Sequence, residues 1–159
     1  FEFRFVHTYP NFPNHPYPPP TQQVALLDLA SAGEYPAALV ASYRDACRAI
    51  LAGNDTALRE AMFAIGYAHP DDPEAMIRNA ADIIRLACEP LVQRGPYDFA
   101  ASGLAVRARD LGLAVAFGKG LRSPPPATMF LHRKLIGTFL ICVKLRARVN
   151  VHALIEKFL

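Results

Sequence analysis

Asn14 and Asp28 are the two residues of this chain whose types and setting could hold a metal ion. An amide carbonyl and a carboxylate are both hard oxygen donors. Magnesium bound to a nucleotide needs few protein ligands, because phosphate oxygens and water complete its shell. Asn14 sits among closely spaced prolines, and Asp28 ends the aliphatic run Val24-Ala25-Leu26-Leu27. The same spacing fits a plainer arrangement, in which Asn14 stabilises a proline-rich turn and Asp28 caps the segment that follows.

A second chemical feature is basic. His132-Arg133-Lys134 could face a phosphate or an acidic lipid, or could be the solvated edge of a helix entering an apolar run. With Lys144, Arg146 and Arg148 it makes a basic end: eight Lys/Arg from Lys119 onward stand against Glu156 alone, while nine basic and thirteen acidic residues precede them. That asymmetry suits an anionic membrane surface. Nucleic acid is not expected, since the cations are not interleaved with aromatics and no binding motif accompanies them. Ser31 and Ser42 have no histidine signature nearby, so nucleophilic catalysis is not indicated. His7, two residues before Tyr9, reads as a loop residue hydrogen-bonded within its own segment.

These residues need elements to place them. Prolines at 10, 13, 16, 18, 19 and 20 forbid regular helix between His7 and Pro20, so the opening reads as a loop. It leads into a buried strand, Val24 to Asp28, that delivers an acid at its tip. Everything afterwards reads as helical. Pro36 opens a helix with Leu39, Val40, Tyr43, Cys47, Ile50 and Leu51 at helical spacing, and Gly53 stops it. Asn54 or Asp55 caps a second, lined by Leu58, Met62 and Ile65 and ended by Gly66. Asp72-Pro73-Glu74 opens a third with Ile77, Ala80, Ile84, Ala87, Cys88 and Leu91 on one stripe, and Pro90 ends or kinks it. A fourth spans about Leu104 to Phe117, a fifth and most apolar one runs from Met129 to Arg148, and a short terminal one from Val151 to Leu159.

Composition agrees with a single folded domain. The chain has 159 residues, 52% of them hydrophobic and 19% charged, which argues against disorder. Leu135 to Val143 is apolar but far shorter than the roughly 20 residues that span a bilayer. Cys47, Cys88 and Cys142 are odd in number, far apart and set in apolar helical patterns. A disulfide framework or a zinc site is therefore disfavoured, and buried thiols in a reducing compartment are expected. The chain opens on Phe1 without an initiator methionine or a leader pattern, and the expectation is a segment of a longer product.

The wording around Asn14 and Asp28 adds to this. The stretch from Phe1-Glu2-Phe3-Arg4-Phe5-Val6-His7-Thr8-Tyr9-Pro10-Asn11-Phe12-Pro13-Asn14, then Val24-Ala25-Leu26-Leu27-Asp28 and Glu34-Tyr35, closely resembles the catalytic-loop and metal-loop region of the AarF/UbiB atypical kinase-like family, which includes the coenzyme Q-supporting ADCK proteins. Leu131-His132-Arg133-Lys134-Leu135 and Phe139-Leu140-Ile141-Cys142 resemble that family's last helices, so the likeness covers nearly the whole chain.

The resemblance implies a mainly α fold, a protein-kinase-like carboxy-terminal lobe with a short β segment near its start. It is read as one unit over 1–159, with a catalytic and metal-loop segment at 1–35 and a helical region at 36–159. It implies an atypical kinase or ATPase linked to ubiquinone biosynthesis, with Asn14 as the catalytic-loop metal ligand and Asp28 as the acid that holds magnesium against ATP. It also implies a facing amino-terminal lobe that supplies the glycine-rich loop, the lysine–glutamate pair and the Lys-x-Gly-Gln segment, none of which occurs here. The expected location is cytoplasmic, mitochondrial in a eukaryote, with membrane-peripheral placement following from the basic end.

Departures from the family pattern bear on activity. Tyr9 stands where the family has its catalytic aspartate, and a phenol with an ordinary pKa near 10 supplies no carboxylate charge at neutral pH. Asp28-Leu29-Ala30 replaces Asp-Phe-Gly, removing an aromatic contact and a permissive glycine. The prolines of His15 to Pro20 replace a short strand, so a distorted hairpin is expected. The chain is therefore expected to be inactive alone. The alternative is a noncatalytic, pseudokinase-like module that binds a partner protein or a membrane surface.

Overall fold

The computed structural model describes residues 4–8, 20, 23, 32–117 and 122–159, with 114–117 as backbone only. Among them the order is β1 (Phe5–His7), β2 (Ala32–Glu34), α1 (Ala37–Ala52), α2 (Asp55–Ile65), α3 (Glu74–Ala87), α4 (Glu89–Val92), β3 (Tyr97–Asp98), α5 (Leu104–Phe117), α6 (Pro126–Lys144), β4 (Arg148–Val149) and α7 (Val151–Glu156). The fold is mainly α with short strands, as expected.

Capping chemistry sets the first helices. Pro36 and Pro73, both near φ −55° and ψ 137°, precede α1 and α3 in an extended conformation that feeds directly into helix. Asn54 caps α2 by accepting from the Ala57 N–H at 3.0 Å. Gly53 and Gly66 end α1 and α2 in the left-handed conformation, at φ 62° and 91°. Each closes two hydrogen bonds back into its helix: Gly53 N–H to Ile50 and Asn54 N–H to Ala49, then Gly66 N–H to Phe63 and Tyr67 N–H to Met62.

Two apolar clusters follow. The larger gathers Ala46 and Ala49 of α1, Leu58, Ala61, Met62 and Ile65 of α2, and Ile77, Ala80 and Ala81 of α3. Alanines at the α1–α2 contact let the helices approach closely, and Leu58 and Met62 are sealed from solvent. Burial of either stabilises the fold by roughly 1.5–3 kcal/mol. The smaller cluster centres on Tyr97, Phe99 and Leu104, covered by Phe139, Cys142 and Val143 of α6.

Several sequence expectations need correction. The region after Asp28 is not wholly helical. β2 pairs antiparallel with β1, in the register Phe5↔Glu34, Val6↔Gly33 and His7↔Ala32. β3 pairs with β4, in the register Tyr97↔Val149 and Asp98↔Arg148. Two- and three-residue strands leave too little alternation to read as period two. His7 accordingly ends a strand instead of lying in a loop. α6 begins at Pro126, inside the proline run, because proline fits the first turn; the Thr128 N–H and hydroxyl both donate to the Pro125 carbonyl, at 2.9 and 2.8 Å. It stops at Lys144, four residues before Arg148. Arg146 turns to φ 51°, Arg146 N–H closes on Val143 and Ala147 N–H on Cys142, and the chain enters β4. Pro90 separates a distinct α4 from α3. The terminal helix ends at Glu156. The expected strand at Val24 to Asp28 lies outside the described residues, as does the His15 to Pro20 stretch apart from Pro20.

Candidate functional site

The described backbone brackets the candidate metal site. β1 ends at His7, two residues before Tyr9, and β2 begins at Ala32, four residues after Asp28; the pairing of His7 with Ala32 holds the two chain ends side by side. Arg4 and Glu34 pair across this hairpin at 2.9 Å, and the Tyr35 N–H donates to the Arg4 carbonyl at 2.8 Å. Both charged side chains are exposed, so the ion pair guides register more than it stabilises. Thr8 and Tyr35 are buried at its base, and burial pushes the Tyr35 phenol up from its ordinary pKa. Tyr9, Asn14 and Asp28 themselves lie outside the described residues. As a donor set, an amide oxygen and a carboxylate match magnesium, whereas the Tyr9 phenol does not match a general base. Among the described residues, no group of three or more His, Cys, Asp or Glu gathers as a metal site.

A polar centre that the sequence reading did not assemble lies farther along. The Tyr67 hydroxyl is hydrogen-bonded to both the Tyr43 hydroxyl and His132 Nε2. The Tyr67 and His132 rings stack with centroids 5.5 Å apart, and Tyr43 meets Tyr67 edge-on at 6.1 Å. Burial pushes the Tyr43 and Tyr67 phenols up and His132 down. His132 is therefore half-buried in a side-chain network instead of being a solvated edge. Tyr43 was visible only as one position of a helical stripe and His132 as one letter of a basic run.

Several charged groups elsewhere pair with one another. Glu89 accepts two hydrogen bonds from Arg107, at 2.7 and 2.8 Å, and one from the Tyr97 hydroxyl at 2.8 Å. Arg107 and then Tyr97 hold the Glu89 carboxyl below its usual range, against its partial burial. Arg122 grips Asp72 with two bonds, fastening the segment before α6 to the α2–α3 connection. An open groove of about 570 Å³ beside α2, α3 and α4 presents Asp55, Asp82, Arg85 and Glu89. Arg85 already pairs with both aspartates, so no charge converges there on a ligand. The three thiols are free and partly buried, and burial pushes each of them up, Cys88 to about 12. They are therefore protonated and inert, consistent with structural packing.

The hairpin and helical body, aligned along their length with a small part of atypical kinases, fit the class of a kinase-like carboxy-terminal lobe. Similarity then runs along nearly the whole chain, which resembles a part of the COQ8/ADCK atypical kinase-like proteins. It is 31% identical over 160 residues to the mitochondrial atypical kinase COQ8B of Rattus norvegicus, a match covering 98% of this chain and 29% of the rat protein. The mitochondrial atypical kinase COQ8 of Schizosaccharomyces pombe is 31% identical over 163 residues, covering 99% of this chain and 26% of its own. The probable serine/threonine-protein kinase abkA of Dictyostelium discoideum is 26% identical over 165 residues, covering 99% and 29%. The chain thus spans less than a third of the length of these relatives. No protein-family model matches it.

Proposed function

We propose that the chain is the nucleotide-facing carboxy-terminal lobe of an atypical kinase or ATPase supporting ubiquinone biosynthesis, and that alone it turns over no ATP. The observation that carries this reading is the similarity to COQ8 atypical kinases along 98–99% of the chain. In this reading Asn14 and Asp28 hold magnesium against nucleotide phosphates supplied in part by a facing amino-terminal lobe, and Tyr9 leaves the acceptor-orienting position without its carboxylate. Phosphoryl transfer depends on several positioned charges acting together, so two metal ligands alone do not sustain it. Pure chain is expected to show no magnesium-dependent ATP hydrolysis, whereas a version extended upstream to include the glycine-rich loop and the lysine–glutamate pair binds magnesium-ATP and loses that binding on Asp28→Asn. Hydrolysis by the 159-residue chain that disappears in Asp28→Asn would overturn the inactive reading.

A noncatalytic role at an anionic membrane surface is favoured by one feature. α6 exposes Met129, Phe130, Ile136 and Leu140, each more than half accessible, on a helix that carries Arg133, Lys134 and Lys144 and no carboxylate. No helix among the described residues is long and apolar enough to cross a membrane, so contact would be along the surface. Each cation near an anionic surface is worth about 1 kcal/mol. Replacing Lys144 and Arg146 by glutamate should thus lower flotation with phosphatidylglycerol vesicles by roughly tenfold or more. Flotation that ignores both the vesicle charge and these substitutions would remove this role.

A further inference from the structure

The Tyr43–Tyr67–His132 network joins three parts of the chain. Tyr43 lies in α1, Tyr67 follows the glycine that ends α2, and His132 lies one turn after the fully buried Thr128 in α6. Tyr67 stands in the middle, bonded to Tyr43 on one side and to His132 Nε2 on the other, with its ring stacked at 30° on the imidazole. We propose that His132 is an acid-sensitive latch: as neutral imidazole it accepts the Tyr67 hydroxyl proton and fastens the first half of α6 to the α1–α2 pair, and as imidazolium it loosens that contact.

The argument begins with donors and acceptors. Neutral imidazole with its proton on Nδ1 leaves Nε2 as a lone pair, so Tyr67 donates to it and can accept from Tyr43. Protonation turns Nε2 into a donor. Tyr67 must then accept from it and turn its own proton away, to Tyr43 or to Thr128 Oγ1, the nearby oxygen whose own proton is committed to the Pro125 carbonyl. The bond that fastens His132 has to reverse, and the Tyr67 proton with it.

The new charge is also poorly received. The described groups facing the network are the phenols of Tyr43 and Tyr67, the Tyr35 phenol near Tyr43, the Thr128 hydroxyl and, near Tyr67, the Cys88 thiol at the α3–α4 joint. Arg133 and Lys134 adjoin His132 on its own helix and are cationic. Burial lowers His132 from its ordinary 6.5, and among the described residues no carboxylate pairs with it to offset that. Tyr67 is pushed upward and stays protonated, so it provides no phenolate counter-charge. Linkage fixes the sign. A histidine depressed in the folded state contributes stability that is complete above its unfolded value and is lost as pH falls through the folded value, because the unfolded chain binds the proton more readily. Phe139, Cys142 and Val143 hold the second half of α6 on the other cluster, so loosening is confined to the first half.

The test uses NMR on the complete chain. The His132 imidazole is expected to titrate below 6.5, and amide protection in residues 129–134 should fall at least tenfold from about pH 7.5 to about pH 5.5 while α1 and α2 keep theirs. Tyr67→Phe should move the titration upward, with the loss of protection following it; His132→Gln, which stays neutral, should abolish the pH response. Titration of His132 at or above 6.5, or protection of α6 that is indifferent to pH, overturns the latch. Should His132→Gln not fold, the wild-type titration and the Tyr67→Phe shift decide the question by themselves.

Discussion

Tyr97→Ala is expected to lower the unfolding free energy by about 4 kcal/mol, read as a shift in the urea midpoint at constant slope. Tyr97 is 1% exposed, meets Phe99 edge-to-face at 5.0 Å, and through Phe99 reaches Phe139 of α6 at 5.5 Å. Removing the ring opens a cavity under β3, α5 and α6 together. The hydroxyl adds a separate contribution, because it donates to Glu89, the carboxylate that also clamps Arg107. Tyr97→Phe keeps the ring and removes that bond. Its expected cost is about 1 kcal/mol, below the roughly 1.5–3 kcal/mol of a bond to a charged group because Glu89 keeps Arg107 and access to water. The gap between the two variants measures packing alone. A loss below about 1.5 kcal/mol for alanine would mean that this cluster opens independently of the rest.

The contrast between the two clusters also explains which parts of the fold were legible in the sequence. α1 and α2 were readable to within a residue because Pro36, Gly53, Asn54 and Gly66 act through local backbone chemistry, and their apolar positions repeat at helical spacing. α5 was also placed from Leu104 to Phe117, the bounds it has in the fold. The β3–β4 pair was invisible: Tyr97 and Val149 are some fifty residues apart, and two-residue strands are specified by a nonlocal contact. Arg146 in a left-handed conformation hid the end of α6, since that position ordinarily signals itself with glycine. The chemical residues divide the same way. Asn14 and Asp28 were singled out through a resemblance of wording, which depends on order along the chain, and both lie outside the described residues. Tyr43, Tyr67 and His132 come from three separate segments, and only the packing of α6 against the α1–α2 pair brings them together.

That packing makes Gly66 the position where backbone and tertiary structure constrain the same atom. Gly66→Ala is expected to cost about 3 kcal/mol, from two separable causes. At φ 91° a β-carbon is strained, by about 1–2 kcal/mol. A β-carbon there would also stand 2.9 Å from Pro125 Cγ, a ring atom with little freedom to move, at the residue whose carbonyl starts α6. Gly53 separates the two causes: it ends α1 at φ 62° with open space around it, so Gly53→Ala carries the backbone cost alone, about 1 kcal/mol. Pro125→Ala in the Gly66→Ala background removes the clashing ring atom and should recover about 1 kcal/mol through coupling between the sites. A double-mutant cycle in urea checks this. If Gly66→Ala costs no more than Gly53→Ala, the start of α6 is not pressed against the end of α2. If the excess appears and is relieved in the double variant, Gly66 is the point at which α6 bears on the α2 terminus, one residue before Tyr67 takes hold of His132.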